Sequence, residues 1–138
     1  MATWLMDTAL LKAVGSPKAA NLQKWFEAHD ASIFLSAASL SEIVSSIEIL
    51  SAKQSQRGAA QQKWFNDLTA RYADRIHQVD AELAIRAGAL LPSLRQAHPR
   101  HRLHDALLVA TAQIHGHGLL TRREGVFGKW TEVPVATF

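Results

Sequence analysis

The sequence contains no cysteine among its 138 residues. Disulfide bonds and thiolate metal sites are therefore excluded, and a reducing compartment such as the cytoplasm is the expected location. No apolar run approaches the roughly 20 residues that a helix needs to cross a bilayer, so we expect no membrane segment. The amino terminus also lacks the basic region and long apolar stretch of a signal peptide. The sequence also lacks a glycine-rich phosphate loop and a convincing nucleophile motif. Carboxylates are therefore the main candidates for catalytic groups.

Charged residues are sparse, at 20% of the chain, whereas hydrophobic residues make up 48%. This composition and length predict one globular domain over residues 1–138. Residues 1–94 hold nine Lys or Arg against nine Asp or Glu, and residues 95–138 hold six against three. The positive excess therefore lies in the last third of the chain. Such a surface suits a polyanion, although an ordinary solvated basic face explains the charge equally well.

Short apolar strands alternate with helices along the chain. The predicted strands are residues 3–6, 32–36, 76–79 and 119–121, with a possible edge strand at 133–136. Four predicted helices span residues 8–14, 41–50, 61–72 and 104–112. A further helix begins at residues 16–17, and another begins at Asp80 and is ended or kinked by Pro92. Residues 52–60 fit either a loop or a helix. The alternation favours an α/β fold with a parallel sheet, in which sites form at the carboxyl ends of strands.

Three carboxylates stand at the edges of buried elements. Asp7 ends the first strand, Glu42 follows the start of a helix, and Asp105 is the one acid in an otherwise apolar helix. Carboxylates brought close together repel unless a cation lies between them. Their hard oxygen atoms select Mg²⁺ or Mn²⁺, which can activate water and stabilise charge on a phosphodiester. The pattern predicts a divalent-metal site.

Each acid also has an ordinary structural interpretation. Asp7 could cap the helix that follows it. Ser39 and Glu42 have the spacing of a capping box, in which a glutamate pairs with its own backbone. Asp105 could be a first-turn acid that the helix dipole favours.

The connector 97–102 is basic and leads into the helix of Asp105. We predict that Arg95, Arg100 and Arg102 contact phosphates from this exposed segment. His98, His101 and His104 recur every three residues, but Pro99 breaks the helix that would align them. His115 and His117 are assigned a structural role at the end of the helix.

Six stretches together resemble the motifs of a known family. They are Leu5-Met6-Asp7-Thr8, Ser39-Leu40-Ser41-Glu42-Ile43, Asp80-Ala81-Glu82-Leu83-Ala84, His104-Asp105-Ala106-Leu107-Leu108-Val109-Ala110-Thr111-Ala112, Gly118-Leu119-Leu120-Thr121-Arg122 and Val133-Pro134-Val135. The family is the PIN-domain ribonucleases, and specifically the VapC-type toxins of bacterial toxin–antitoxin pairs. The stretch around Asp105 is the most specific of the six.

This resemblance implies a three-layer α/β/α fold with a central parallel sheet of four to five strands. It also implies a toxin that cleaves RNA with Mg²⁺ or Mn²⁺, a homodimer, and an antitoxin that covers the site. By position, Asp7, Glu42 and Asp105 match the metal-binding acids, and Thr8 and Thr121 match supporting hydroxyls.

The chain departs from the family pattern near its end. A fourth acid commonly sits two or five residues after the last motif's threonine, where this chain has Arg123 and Val126. Glu124 lies between these positions and is the candidate replacement, and Arg122 and Arg123 join the candidate RNA contacts. Ala9 also replaces the polar residue that usually follows the opening Asp-Thr. The rival hypothesis is therefore a PIN-like subunit that binds an antitoxin or RNA but hydrolyses poorly.

Overall fold

A computed structural model describes residues 2–15, 20–122 and 133–137. Within them the strands are β1 (Trp4–Met6), β2 (Ile33–Ser36), β3 (Ile76–His77), β4 (Gly118–Thr121) and β5 (Val135–Thr137). The helices are α1 (Thr8–Val14), α2 (Ala20–Ala28), α3 (Ala37–Lys53), α4 (Ser55–Arg71), α5 (Ala81–Ala97) and α6 (Leu103–His115). The predicted helix start at residues 16–17 lies outside the described residues.

The described strands form one sheet in the order β3-β2-β1-β4-β5, and each pairing is parallel. This confirms the α/β class and the parallel sheet of four to five strands. β5 lies at an edge, as Pro134 just before it predicted, because proline cannot donate to a neighbouring strand. β1 and β4 are neighbours, which brings the segments after Met6 and Leu120 to the same end of the sheet.

Two apolar cores lie on opposite faces of this sheet, which confirms the three-layer arrangement. Side chains alternate across a strand, so Leu5 of β1 joins one core and Met6 joins the other. The first core packs against α5 and α6, and the second packs against α1 to α4. α6 supplies seven buried residues, as expected for a helix that is apolar on nearly all sides.

Helix α3 begins earlier than the sequence predicted. Its N-cap is Ser36, whose side chain accepts a hydrogen bond from the Ala38 N–H at 3.1 Å. Ser39 is therefore inside the helix, and the predicted capping box of Ser39 and Glu42 is wrong. Glu42 lies in the second turn, where its carboxylate is not needed to cap the helix.

The structure also defines two further helix boundaries. Residues 52–60, which the sequence left open, are helical except for a break at Gln54 between α3 and α4. Pro92 does not end α5, which continues to Ala97. Asp80 caps α5 as predicted, because its side chain accepts from the Leu83 N–H at 2.9 Å. Among the helices described here, none is long and apolar enough to cross a membrane.

A polar network fastens the end of α4 to the segment before β2. The Tyr72 hydroxyl donates to Asp30, and Arg71 and Arg75 contact the same carboxylate at 3.1 and 3.3 Å. Burial alone would raise the pKa of Asp30, but the hydroxyl and the two cations together hold it below its usual value. The network therefore stabilises the fold and does not belong to the carboxylate site.

Candidate metal centre

Asp7 immediately follows β1 at the carboxyl end of the sheet, as predicted. Its residue is 1% exposed, and its N–H donates to the carbonyl of Leu120 at 2.9 Å. The Thr121 hydroxyl donates to Asp7 Oδ2 at 2.7 Å. Two neighbouring strands therefore fix both the backbone and the carboxylate of Asp7.

Asp105 lies in the first turn of α6 and is fully buried. Its Oδ2 accepts a hydrogen bond from the Arg102 N–H at 3.0 Å, which satisfies a donor at the helix start. The same oxygen lies 3.4 Å from Nδ1 of the buried His101. The first-turn interpretation of Asp105 is thus part of its role, because the hydrogen bond also fixes the direction of a buried carboxylate.

Glu42 approaches the same region from α3. Its side chain is 28% exposed, and Oε1 lies 3.3 Å from both Arg102 Nη2 and His104 Nδ1. This carboxylate is the most accessible of the three acids, whereas Asp7 and Asp105 lie deeper.

His104 lies among the three acids, which the sequence reasoning did not predict. Its side chain is 12% exposed, and Nε2 is 2.8 Å from Thr8 Oγ1. Burial lowers the pKa of His104, whereas Glu42, Asp105 and Asp7 act in the opposite direction. The one sequence signal for this residue is its position directly before Asp105.

Similar proteins reveal which family this arrangement belongs to. The family model described as PIN domain matches residues 8–127, which is most of the chain. The chain belongs to the PIN-domain family. Members of this family are generally nucleases, and those nucleases typically use divalent metals. No curated protein shows significant sequence similarity to the chain.

Several solved structures with the same fold come from toxin–antitoxin complexes. A DNA-bound VapBC from Salmonella typhimurium has a TM-score of 0.80 at 15% identity and covers 99% of this chain and 98% of its own. FitAcB from Neisseria gonorrhoeae has a TM-score of 0.78 at 21% identity, with 96% of each chain covered. A toxin–antitoxin complex from Klebsiella pneumoniae has a TM-score of 0.65 at 25% identity and covers 98% of this chain and 97% of its own. These likenesses confirm the PIN fold.

The donor set of this PIN domain is chemically suited to the divalent ion that nucleases of the family typically use. Asp7, Glu42 and Asp105 supply hard oxygen atoms, and two of them are buried carboxylates whose mutual repulsion a cation would relieve. The chemistry therefore fits. In the described part of the chain, however, no three His, Asp or Glu side chains stand ready to hold one ion. Glu42 contacts His104 and Arg102 instead, so a shared ion requires a side-chain rearrangement there.

The two hydroxyl groups that the motif match implied make different contacts in this PIN domain. Thr121 contacts Asp7 directly, and Thr8 contacts Ser39 at 2.8 Å and His104 at 2.8 Å. Thr8 therefore links α1 to α3 and α6 rather than touching an acid in the described contacts.

The site is partly open to solvent on one side. A depression of about 510 Å³ lies against Glu42 and His104, and its other walls include Val79, Leu103 and Leu107. Glu42 and His104 can therefore be reached from outside the protein.

The predicted phosphate contacts occupy different surroundings. Arg95, Arg100, Arg102 and Arg122 are all exposed. Arg95 Nε donates to the carbonyl of His101 at 3.2 Å, so it also holds the connector in place. Arg102 pairs with Glu42 at the edge of the site. Arg123 and Glu124 lie outside the described residues.

Three histidines, His77, His115 and His117, form a cluster near Thr3, which precedes β1. His77 Nε2 is 2.8 Å from His117 Nε2, and His117 Nδ1 is 2.6 Å from Thr3 Oγ1. The rings of His77 and His115 stack at 3.7 Å. Burial, with the neighbouring His115 and His117, lowers the pKa of His77 to about 4. Burial and His115 also lower the pKa of His117.

Proposed function

We propose that this PIN-domain protein is a Mg²⁺- or Mn²⁺-dependent endoribonuclease that acts as the toxin of a toxin–antitoxin pair. The observation that carries the proposal is the approach of Asp7, Glu42 and Asp105 to one imidazole at the carboxyl end of a parallel sheet. Two of these acids are buried, and a divalent cation held between them would offset the repulsion of their charges.

In this proposal Asp7, Glu42 and Asp105 hold the ion, and Thr121 keeps Asp7 in position. A bound divalent ion supplies an activated water and charge stabilisation on the phosphodiester. Arg102 is well placed to attract a phosphate, because it is exposed and already borders Glu42. Arg95, Arg100, Arg122 and Arg123 are the other proposed RNA contacts, since the positive excess lies in this part of the chain.

The test is RNA cleavage by the purified protein with Mg²⁺ or Mn²⁺, compared with Asp7→Asn. The substitution removes a ligand charge while it keeps the side chain's size and one hydrogen-bond acceptor for Thr121. We expect metal-dependent cleavage by the natural sequence and its loss in the variant, with both proteins folded. The proposal would be contradicted if Asp7→Asn cleaved RNA at the natural rate, or if a metal chelator did not reduce cleavage by the natural sequence.

A catalytically weak subunit is the second candidate. It is favoured by Arg123 and Val126, which stand where the resemblance leads one to expect a fourth acid. Glu124 remains the proposed replacement, so Glu124→Gln should depress cleavage if the chain is active. Metal-dependent RNA turnover distinguishes the enzyme from a subunit that only binds an antitoxin or RNA.

The proposed partner is a small antitoxin, and we propose that the toxin itself is a homodimer. A cavity of about 200 Å³ opens between α1, α2 and α4, with Phe26, Trp64 and Leu68 in its walls. Trp25 lies nearby on α2 and stacks on His29 at a centroid distance of 4.3 Å. An apolar helix of an antitoxin fits this groove, as described for helix-in-groove recognition.

Co-expression with the adjacent small gene product should relieve toxicity and yield a complex. Trp64→Ala should weaken that complex without abolishing metal-dependent cleavage, because Trp64 lies on α4, which carries none of the three acids. Sedimentation as a monomer would count against the homodimer. Purification from the native host without any bound partner would count against the antitoxin.

A further inference from the structure

Lys12 is an exposed cation that helix α1 holds against helix α3, close to Glu42. Its ammonium group donates to Ser46 Oγ at 2.7 Å, and the Ser46 hydroxyl donates to the carbonyl of Glu42 at 3.1 Å. Ser46 follows Glu42 by four residues, so the two side chains lie on one face of α3, about 6 Å apart along the helix axis. Lys12 therefore places a positive charge about one helical turn from the most accessible of the three acids.

The packing of α1 fixes the direction from which Lys12 approaches. Thr8, at the start of α1, donates to Ser39 of α3 at 2.8 Å, and Lys12 lies one turn later on the same face of α1. This face of α1 therefore runs along α3 from Ser39 towards Ser46. None of the ion pairs in the described part of the chain involves Lys12, so its charge is available to an anion.

A second cation borders Glu42 from another element. The side chain of Arg102, directly before α6, is 67% exposed, and its Nη2 lies 3.3 Å from Glu42 Oε1. α1 and α6 thus each bring one positive charge to the same part of α3, at positions about one helical turn apart. A nucleic acid strand carries one charge per nucleotide, so this arrangement suits neighbouring phosphates of one strand. Charge counting along the sequence points only to the last third of the chain, whereas Lys12 lies near its start.

We infer that Lys12 binds a phosphate of the RNA strand beside the phosphate at the acids, so that the bound strand follows α3 from Glu42 to Ser46. The inference rests on the proposed function, because the site of Asp7, Glu42 and Asp105 positions the strand. The ammonium group has three donors, so Lys12 can contact a phosphate while it keeps its hydrogen bond to Ser46. Such a contact reads no base and should strengthen binding to every RNA sequence alike.

The test measures the affinity of a fluorescently labelled single-stranded RNA oligonucleotide at several salt concentrations, with a chelator present so that the RNA is not cleaved. Each phosphate contact on a single strand contributes about 0.7 to the slope of log affinity against log salt concentration. Lys12→Gln should reduce the steepness of that slope by about 0.7 and weaken binding, whereas Lys12→Arg should keep the natural slope. Lys63→Gln is the matched control, because it removes the charge of another exposed lysine, which lies on α4 and pairs with Asp67 at 2.9 Å. The slope should be unchanged in that variant.

Ser46→Ala separates a phosphate contact from a structural role of Lys12. This variant removes the hydroxyl that Lys12 contacts but keeps the positive charge, so the salt slope should stay at its natural value. The inference would be overturned if Ser46→Ala lowered the slope as much as Lys12→Gln, or if Lys12→Gln left the slope unchanged. In either case, metal-dependent RNA cleavage by the natural sequence would leave the proposed nuclease standing. Failure of the natural sequence to bind this RNA would overturn the inference, and failure to cleave RNA with Mg²⁺ or Mn²⁺ would overturn the proposed function.

Discussion

Thr121 controls where the carboxylate of Asp7 points. Its hydroxyl donates to Asp7 Oδ2 at 2.7 Å, and both residues are buried. Thr121→Val keeps the side chain's shape but removes the donor. We expect a loss of about 10- to 100-fold in metal affinity or RNA cleavage, as for other groups that orient metal ligands.

Thr111→Val provides a matched control for that measurement. Thr111 is equally buried, but its hydroxyl donates to the carbonyl of Leu107 within α6 and does not contact an acid. Cleavage should be unaffected in this variant. Equal losses in the two variants would mean that Thr121 acts through general stability rather than through Asp7.

The residues of the proposed site differ in how far the sequence alone points to them. Asp7, Glu42 and Asp105 were proposed because each acid interrupts or borders an apolar segment, a pattern visible along the chain. His104 was missed because its partner Thr8 is 96 residues away, and local spacing carries no information about that contact. Ser39 was assigned to a cap for the same reason, since its bond to Thr8 is also between distant residues.

Helices α3 and α4 pack closely at Gly58. A Cβ atom on Gly58 would lie 2.1 Å from Ser51 Oγ and 2.6 Å from Ser51 Cα, so the backbone itself would have to move. Gly58→Ala should therefore destabilise the fold by about 1–3 kcal/mol, the usual range for overpacking. Urea unfolding measures this difference.

Gly88→Ala is the control for helix propensity. Gly88 lies in α5, and an added Cβ would meet nothing within 4 Å. Alanine there should stabilise the protein by up to about 1 kcal/mol, because glycine is a poor helix former. Destabilisation by Gly88→Ala of the same size as by Gly58→Ala would contradict the packing argument.

The histidine cluster joins β3 to the turn between α6 and β4. His77 has its pKa lowered to about 4, below the usual value of 6.5, so the folded state binds fewer protons than the unfolded state. The cluster's contribution to stability is therefore present above about pH 6.5 and lost as the pH falls towards 4. Unfolding measured at several pH values should show this loss, and His77→Gln should flatten it. A profile that His77→Gln fails to change would assign the acid sensitivity to other groups.

The ends of helices could be predicted from the sequence where a single capping residue marks them. Asp80 predicted the start of α5, and Gly15 follows the end of α1 as expected. Of the two outcomes predicted for Pro92, the end of the helix is wrong, since packing of α5 against α6 extends the helix to Ala97 despite the missing N–H. The α3 start was misplaced because several serines compete as caps, and only the position of β2 selects Ser36.

The whole molecule follows from the alternation of strands and helices. Parallel strands need crossover helices, and these cover both faces of the sheet with apolar side chains. The order β3-β2-β1-β4-β5 could not be deduced from the sequence, because strand neighbours depend on packing between distant segments. That order places β1 beside β4 and so brings Thr121 to Asp7.

The most direct test of the account is a crystal structure grown with Mn²⁺ and measured for anomalous scattering. We expect one peak at the carboxyl end of β1, within about 2.5 Å of carboxylate oxygens from Asp7, Glu42 or Asp105, since metal–oxygen bonds fall near 2–2.5 Å. Glu42 and His104 should have moved relative to their present 3.3 Å contact, because no three side chains in the described residues are yet arranged around one ion. A map without a peak among these acids, at Mn²⁺ concentrations that support RNA cleavage, would contradict the proposed metal centre.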